Sequence, residues 1–279
     1  MDSMHNIAVL LTCFNRKEKT INCLSQLFKL KSDLDVYLVD DGSTDETSKA
    51  VVEGFPQVNL ISGSGNLFWN KGMYLAWEYA AKKDYDYYLW LNDDVVIYEN
   101  CFDELYSCID LTEDKAIISG IIETSDKKDT LYGGFDANKK LIKPNGELNL
   151  IRNMNGNVVI VPKEVYKILG NLDIHYHHDL GDVDYGLRAQ NNGIAVFTTR
   201  VAIASGEKND ICRVRQNNTN IIQRFKKLYS PLGANPKIIF YFRNKYFGFI
   251  NAVFYFVFLH FINFIPDKLN KLIFGTRYL

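Results

Sequence analysis

Short, largely apolar runs recur along the first 110 residues, separated by segments whose apolar positions follow a helical period. Ile7–Cys13, Asp35–Val39, Val58–Ile61 and Tyr87–Leu91 have the length and composition of buried strands. Asn15 with Glu18 is a helix-entry signature, and that helix runs to about Leu30. Ser43 with Glu46 forms a capping box for a helix ending near Gly54. A third helix, Asn70 to Lys82, places Met73, Trp77 and Ala80-Ala81 on its inner face, and a fourth covers Glu99–Ile109. Strand, helix, strand, helix predicts a mostly parallel α/β sheet with helices on both faces.

The pattern then loosens. Ala116–Ile122 reads as a strand, and 131–149, with Gly133-Gly134 and Pro144-Asn145-Gly146, as a hairpin or exposed loop. Asn157–Val161 is a strand, Pro162 starts a short helix ending at Gly170, His178–Asn191 is a helix, and Ile194–Thr198 a last strand. Ser205–Asn220 reads as a polar, mobile segment. The domain is expected to occupy 1–235, with an apolar, aromatic helical tail over 236–279. Within the tail, Tyr246–Ile265 has only Gly248, Asn251, His260 and Asn263 outside the apolar class, and nine of its residues are aromatic. Three readings stay open for it: a helix in the plane of a membrane surface, a core or subunit-contact helix, and a true span.

Two of the apolar runs stop at paired acids. Tyr87–Leu91 is followed by Asn92-Asp93-Asp94, and Asp35–Val39 by Asp40-Asp41. A third acidic group, Asp179-Leu180-Gly181-Asp182-Val183-Asp184, comes later. A hydrophobic strand that delivers carboxylates to its C-terminal tip is how an open α/β sheet presents a metal or a phosphate-bearing ligand. Three such clusters on one sheet edge would suit a nucleotide diphosphate with a divalent cation.

Charge and cysteine content narrow the classes. The net charge is −1, with 32 basic and 33 acidic residues, so no basic excess points to a nucleic-acid partner. Five cysteines without a CxxC pair suit a reduced, cytoplasmic protein. The N-terminus lacks a basic n-region, and Ile7–Leu11 reads as a strand, not a signal peptide. The first turn, Thr12-Cys13-Phe14-Asn15-Arg16, has no glycine, which argues against a G-x-G-x-x-G dinucleotide site. His175, His177 and His178 lack partners that would complete a zinc set.

Leu11-Thr12-Cys13-Phe14-Asn15-Arg16, Val39-Asp40-Asp41-Gly42-Ser43-Thr44-Asp45, Gly65-Asn66-Leu67, Leu91-Asn92-Asp93-Asp94, and Gly181-Asp182-Val183-Asp184 with Arg188 occur in that order. The ordered set resembles glycosyltransferase family 2, of the GT-A fold, over about residues 6–210. Around Gly65–Gly72 it is similar to bacterial rhamnosyltransferase-like members that build surface polysaccharides. The resemblance implies a nucleotide-sugar donor, an inverting transfer and Mg²⁺ or Mn²⁺. It implies that Asp40 and Asp41 hold base and ribose, with Thr12, Phe14, Asn15 and Arg16 lining the same pocket and Gly65, Asn66, Asn70 and Lys71 contacting the donor. Asn92-Asp93-Asp94 matches the family's D-x-D: Asp94 and Asn92 would be metal ligands and Asp93 a ribose or metal-water contact. Asp182 matches the base that takes the acceptor hydroxyl's proton. Asp184, His178 and Trp69 are acceptor candidates, although Asp184 with Arg188 also reads as an intrahelical ion pair, and Trp69 also as core.

Two positions depart from the family. Asn92 stands where the first acid is usual, and Gly181 where Glu is usual. Many relatives supply a metal-binding His after the last strand; here Glu207 is the one candidate. Arg213 and Arg215 read either as a clamp over the diphosphate or as a solvated loop. The resulting expectation is a glycosyltransferase, peripheral on the inner face of the membrane, acting on a glycan or lipid-linked glycan. The rivals are a sugar nucleotidyltransferase and a non-catalytic glycan- or nucleotide-binding subunit.

Overall fold

Ile7–Cys13 carries no charged side chain, and its pattern of near-complete burial shows why: it forms β1 in the middle of a sheet. The computed structural model describes residues 6–208, 212–275 and 278. In chain order, β1 is followed by α1 (Lys17–Leu30), β2 (Asp35–Asp40), α2 (Thr47–Gly54), β3 (Asn59–Ser62), α3 (Phe68–Ala80) and β4 (Tyr87–Leu91). Next come β5 (Val96–Ile97), α4 (Cys101–Leu111), β6 (Ala116–Thr124), β7 (Thr130–Tyr132), β8 (Gly134–Phe135), β9 (Asn149–Leu150) and β10 (Asn153–Met154). β11 (Val158–Pro162), α5 (Lys163–Leu169), α6 (Gly181–Asn191) and β12 (Ala195–Gly206) complete this part. The main sheet runs β3-β2-β1-β4-β11-β6-β12-β5, with β7 and β9 paired at its side.

β1 lies parallel to both β2 and β4, with Cys13 opposite Asp40 and Leu10 opposite Trp90. The chain winds outward from β1 to β2 and β3, then returns to place β4 on the other flank of β1. That reversal leaves a crevice beyond the carboxyl ends of β1 and β4, where open α/β sheets bind ligands. β11 breaks the parallel run: it is antiparallel to β4 and pairs Val158 with Leu91. Its entry, Gly156-Asn157, therefore arrives at the tip of β4 from the opposite direction.

The core divides into two layers, one on each face of the sheet. On the face covered by α3 and α6, Trp77 packs against Trp90 and Tyr185 at ring-centroid distances of 5.4 and 5.3 Å, and Trp90 meets Tyr185 at 5.2 Å. Each such aromatic buries about 150–250 Å². Tyr185 thus fixes the first turns of α6 against β4 and α3. Met73, Trp77 and Ala80 are buried on α3 as the helical period predicts, together with Asn70, Gly72 and Ala76.

Several local expectations change. The Ser43/Glu46 capping box does not form: α2 starts at Thr47, after Glu46 at φ +64°, and Asp45 accepts the Thr47 N–H instead. Asn15 does not cap α1; at φ +49° its side-chain oxygen takes the Thr44 N–H at 2.7 Å and ties two loops together. The 131–149 region contains short strands, with β7 on β6 and β8 on β10. β12 is longer than Ile194–Thr198 and takes in Ser205 and Gly206; residues 209–211 of the segment read as mobile lie outside the described residues.

Two compact units are resolved, Met1–Ile174 with Gly181–Lys208, and His175–Leu180 with Asn209–Leu279. The second contains α7 (Ile221–Leu228), α8 (Pro236–Phe247), α9 (Phe249–Phe264) and α10 (Asp267–Phe274). Gly248 at φ +83° splits the apolar run Tyr246–Ile265, so α9 has 16 residues. At 1.5 Å per residue it is about 24 Å long, short of a bilayer core of about 30 Å. Among the described residues no helix is long and apolar enough to cross a membrane, which removes the spanning reading.

Candidate active site

Three backbone ends converge on one edge of the first unit: the loop after β1, the loop after β4 and the start of β11. From the first, Arg16 reaches across to the second. Its guanidinium contacts Asp94 Oδ2 at 2.9 and 3.1 Å and Asp93 Oδ1 at 3.1 Å. The other Asp93 oxygen accepts the Thr20 hydroxyl at 2.9 Å. Asp93 is buried, and that burial pushes its pKa up from 3.8 to about 6, against the lowering effect of Arg16. Asp94 remains partly open to solvent, with a side-chain exposure of 38%.

Asp40 and Asp41 are both buried, and their oxygens are engaged by their own chain. Asp40 accepts the Ser43 N–H at 2.9 Å and the Ser48 hydroxyl. Asp41 accepts the Gly65 N–H at 2.8 Å through one oxygen and the Leu67 and Phe68 N–H groups at 2.7 and 3.0 Å through the other. The pair therefore shapes the two loops that border the crevice. Gly65, at φ +83°, makes the turn that brings those N–H groups inward. Thr12 packs so closely on Gly72 of α3 that any Cβ at Gly72 would overlap it. Phe14 stays half exposed, Asn66 is exposed, and Lys71 is half-buried on α3.

A second chain of contacts links the tip of β4 to α6. Asn92 accepts the Trp69 indole N–H at 2.7 Å, and its amide donates to Asn157 Oδ1. The Trp69 ring covers Gly156, where a Cβ would sit 2.7 Å from it. The Gly156 N–H in turn donates to Asp182 Oδ2 at 2.9 Å. Trp69 is thus neither plain core nor remote from the acids; it lies beside both Asn92 and Gly156. Gly181 packs against Asn70, and a Cβ there would overlap Asn70 Oδ1. The glycine at the position where relatives carry Glu is therefore a packing requirement.

Other candidates fall elsewhere. Asp184 is fully buried and pairs with Arg188 at 2.9 Å, and Arg188 also donates to the Leu169 and Asn171 carbonyls. Its pairing with Arg188 has the i, i+4 spacing of an intrahelical ion pair. In the second unit, His178 Nε2 lies 3.2 Å from Arg213, which pairs with Asp179 at 2.7 Å. His177, His178 and Asp179 line a cavity of about 240 Å³ with Tyr229, Ile238 and Ile239. Arg215 is no solvated loop residue: it is fully buried, donates to the Ile265 carbonyl at 2.9 Å and pairs with Asp267. Glu207 is exposed and pairs with Lys19 at 3.2 Å.

Among the described residues no group of three or more His, Cys, Asp or Glu side chains is placed to hold a metal ion. What the crevice offers is an oxygen-only set of low denticity, Asp94 foremost, because the Asn92 oxygen already serves Trp69. That fits a hard cation such as Mg²⁺, which keeps waters and is bound through one or two carboxylates plus substrate phosphates. It does not fit a preformed protein cage.

Thr20, Gly156 and Asn157 are site neighbours that the sequence pattern did not single out, and Asn70, expected at the donor, instead donates to the Asp173 carbonyl at 2.9 Å. Gly156-Asn157 precedes an apolar strand, a signal present in the chain. Its meaning depends on β11 lying antiparallel beside β4, which local pattern does not show.

The sheet that reverses at β1, with acids at its strand tips, has the GT-A fold. The sequence profile described as "Glycosyl transferase family 2" matches residues 8–162, more than half of the chain, and the protein belongs to that family. Solved structures with the same fold include TarS of S. aureus, at 13% identity and a TM-score of 0.57 over 96% of this chain. The mannosyltransferase PcManGT of Pyrobaculum calidifontis, solved with GDP-Man and Mn²⁺, has 14% identity and a TM-score of 0.55; the match covers 99% of this chain and 85% of that one. The chain spans half the length of TarS. No curated protein matches the sequence.

Proposed function

We propose that the protein is an inverting glycosyltransferase that moves a sugar from a nucleotide-diphosphate donor to a glycan hydroxyl, with Asp182 as the base. The observation that supports this reading is the run of contacts from Asn92, two residues before Asp94, through Trp69 and Gly156 to Asp182. The donor would lie over the carboxyl ends of β1 and β4. Thr12, Phe14, Asn15, Arg16, Gly65, Asn66 and Lys71 border it, and the half-exposed Phe14 ring offers a face for the base. Asp40 and Asp41 act by holding the bordering loops.

In the transfer, the acceptor oxygen attacks the anomeric carbon as its proton passes to an Asp182 carboxylate oxygen. The bond from that carbon to the diphosphate oxygen breaks on the opposite face, so configuration inverts. The Gly156 N–H at 2.9 Å keeps Asp182 aimed, and Tyr185, one turn along α6, keeps the helix seated. A Mg²⁺ or Mn²⁺ held by Asp94 with the donor's own oxygens would neutralise charge on the departing diphosphate. Arg16 adds a fixed positive charge beside it. PcManGT binds GDP-Man with Mn²⁺ in its solved complex, which supports the donor class and the cation.

The acceptor we infer is a lipid-linked glycan of bacterial surface-polysaccharide assembly, met at the inner face of the cell membrane; the apolar helices of the second unit support this. A thermal-shift panel of UDP-, GDP-, dTDP- and CMP-sugars, with and without Mn²⁺, tests the reading, since selective binding stabilises the fold. A Mn²⁺-dependent shift with one nucleotide-diphosphate sugar is expected. No shift with any of them overturns the proposal.

A further inference from the structure

α9 is apolar on two opposite sides. Ala252, Leu259, Ile262 and Asn263 face inward, while Ile250, Val253, Phe254, Val257, Phe261 and Phe264 are exposed. The exposed set recurs at i, i+3, i+4, i+7, i+11 and i+14, which on a helix of 3.6 residues per turn is one continuous stripe about 100° wide. Ile250 is 86% exposed at one end of it. The helix's polar side chains are all engaged by protein. Asn251 accepts from Arg243 at 2.9 Å, His260 meets the Tyr229 hydroxyl at 2.7 Å, and Asn263 donates to the Val214 carbonyl at 3.0 Å. Nothing polar interrupts the stripe.

The neighbouring helices expose apolar side chains of their own. Leu272 of α10 and Ile222 of α7 are 82% and 76% exposed. Both helices are fixed to α9: Phe225 of α7 packs on Phe264 at 4.8 Å, and buried Arg215 joins the Ile265 carbonyl to Asp267 at the start of α10. A continuous exposed apolar stripe such as that on α9 marks an interaction site.

Charge identifies the occupant. Residues 212–279 contain eleven Lys or Arg and a single acid, Asp267, in a chain whose net charge is −1. Asp267 is already paired with Arg215 and Arg224. With Asp179 and Asp210 added, the second unit still holds eleven basic against three acidic residues, so the unit that carries the apolar, aromatic stripe is strongly cationic. A second copy would bring the same positive charge. An anionic bilayer surface offers apolar depth and opposite charge together, and α9 is too short to cross it.

We propose that the second unit docks in the plane of an anionic membrane through the exposed stripe of α9, with α7 and α10 beside it and lysines such as Lys226, Lys268 and Lys271 at the headgroups. The proposal stands on the helix face alone and does not depend on the transfer chemistry. Its test is co-sedimentation of the full chain with phosphatidylcholine vesicles, with and without about 30% phosphatidylglycerol. Binding is expected to require the anionic lipid and to weaken in high salt. Phe254→Glu with Val257→Glu, both exposed positions, should lower the partition coefficient at least about tenfold while circular dichroism and the thermal midpoint stay unchanged. Lys268→Gln with Lys271→Gln should reduce only the anionic-lipid component. Vesicle binding that is absent in the wild type, or unaltered in the double glutamate variant, overturns the proposal. So does a wild-type dimer that the glutamates convert to monomer without any vesicle binding, which would assign the face to a second copy.

Discussion

Gly181, the first residue of α6, lies directly against the Asn70 side chain of α3, with no room for a Cβ between them. Asn70 is itself fully buried and donates to the Asp173 carbonyl at 2.9 Å. This contact sets where α6 begins, one residue before Asp182. Gly181→Ala should cost at least about 2 kcal/mol, because overpacking a closed contact forces backbone shifts. Gly181→Ala combined with Asn70→Ala should recover part of that loss. Chemical denaturation of the three variants measures the coupling; strict additivity would show that the contact is not the cause.

Asp93 makes stability depend on pH. Its folded-state pKa is raised from 3.8 to about 6, chiefly by burial. A raised pKa means that the folded state holds the proton more tightly. The stabilisation is therefore complete below the unfolded value and is lost as pH rises through the folded one. Asp93→Asn removes the titration while preserving an acceptor for Thr20. Wild-type stability relative to Asp93→Asn should fall by roughly 3 kcal/mol from about pH 3.5 to about pH 7. Equilibrium unfolding across that range checks it; a flat difference would contradict the buried-carboxylate account.

Asp94 and Arg16 supply opposite charges to the same crevice. Asp94→Ala removes the exposed oxygen donor and should abolish the Mn²⁺-dependent part of nucleotide binding, a loss of at least about tenfold in affinity. Calorimetry with and without Mn²⁺ separates that part from the rest. Equal heats and affinities in wild type and variant would dismiss Asp94 as the cation site.

The strand tips were legible because each is an apolar run ended by acids, and burial plus sheet topology places such runs together. β1, β2 and β4 and their loops accordingly appear where the pattern puts them. The finer contacts were hidden for physical reasons. Ser43 and Glu46 have capping-box spacing, yet Asp40 and Asp45 are better placed to take the loop's N–H groups. Asn92 looked like a weakened metal ligand, but its neighbours Trp69 and Asn157 come from α3 and the entry to β11, distant in sequence. Arg215 sat in a polar stretch and gave no sign of burial, since its partners are carbonyls at the α9–α10 corner. Gly248 was visible within the aromatic run, and its left-handed backbone is what turns one long helix into two shorter ones.

The assignment of Asp182 as the proton acceptor is the centre of the account. Once a donor is found, single-turnover transfer by Asp182→Asn should be measured beside its donor affinity. The account predicts a rate loss of about 10²–10⁴-fold with donor affinity within about twofold of wild type, because the substitution keeps the shape and removes only the base. An Asp182→Asn enzyme that transfers sugar at the wild-type rate would contradict it.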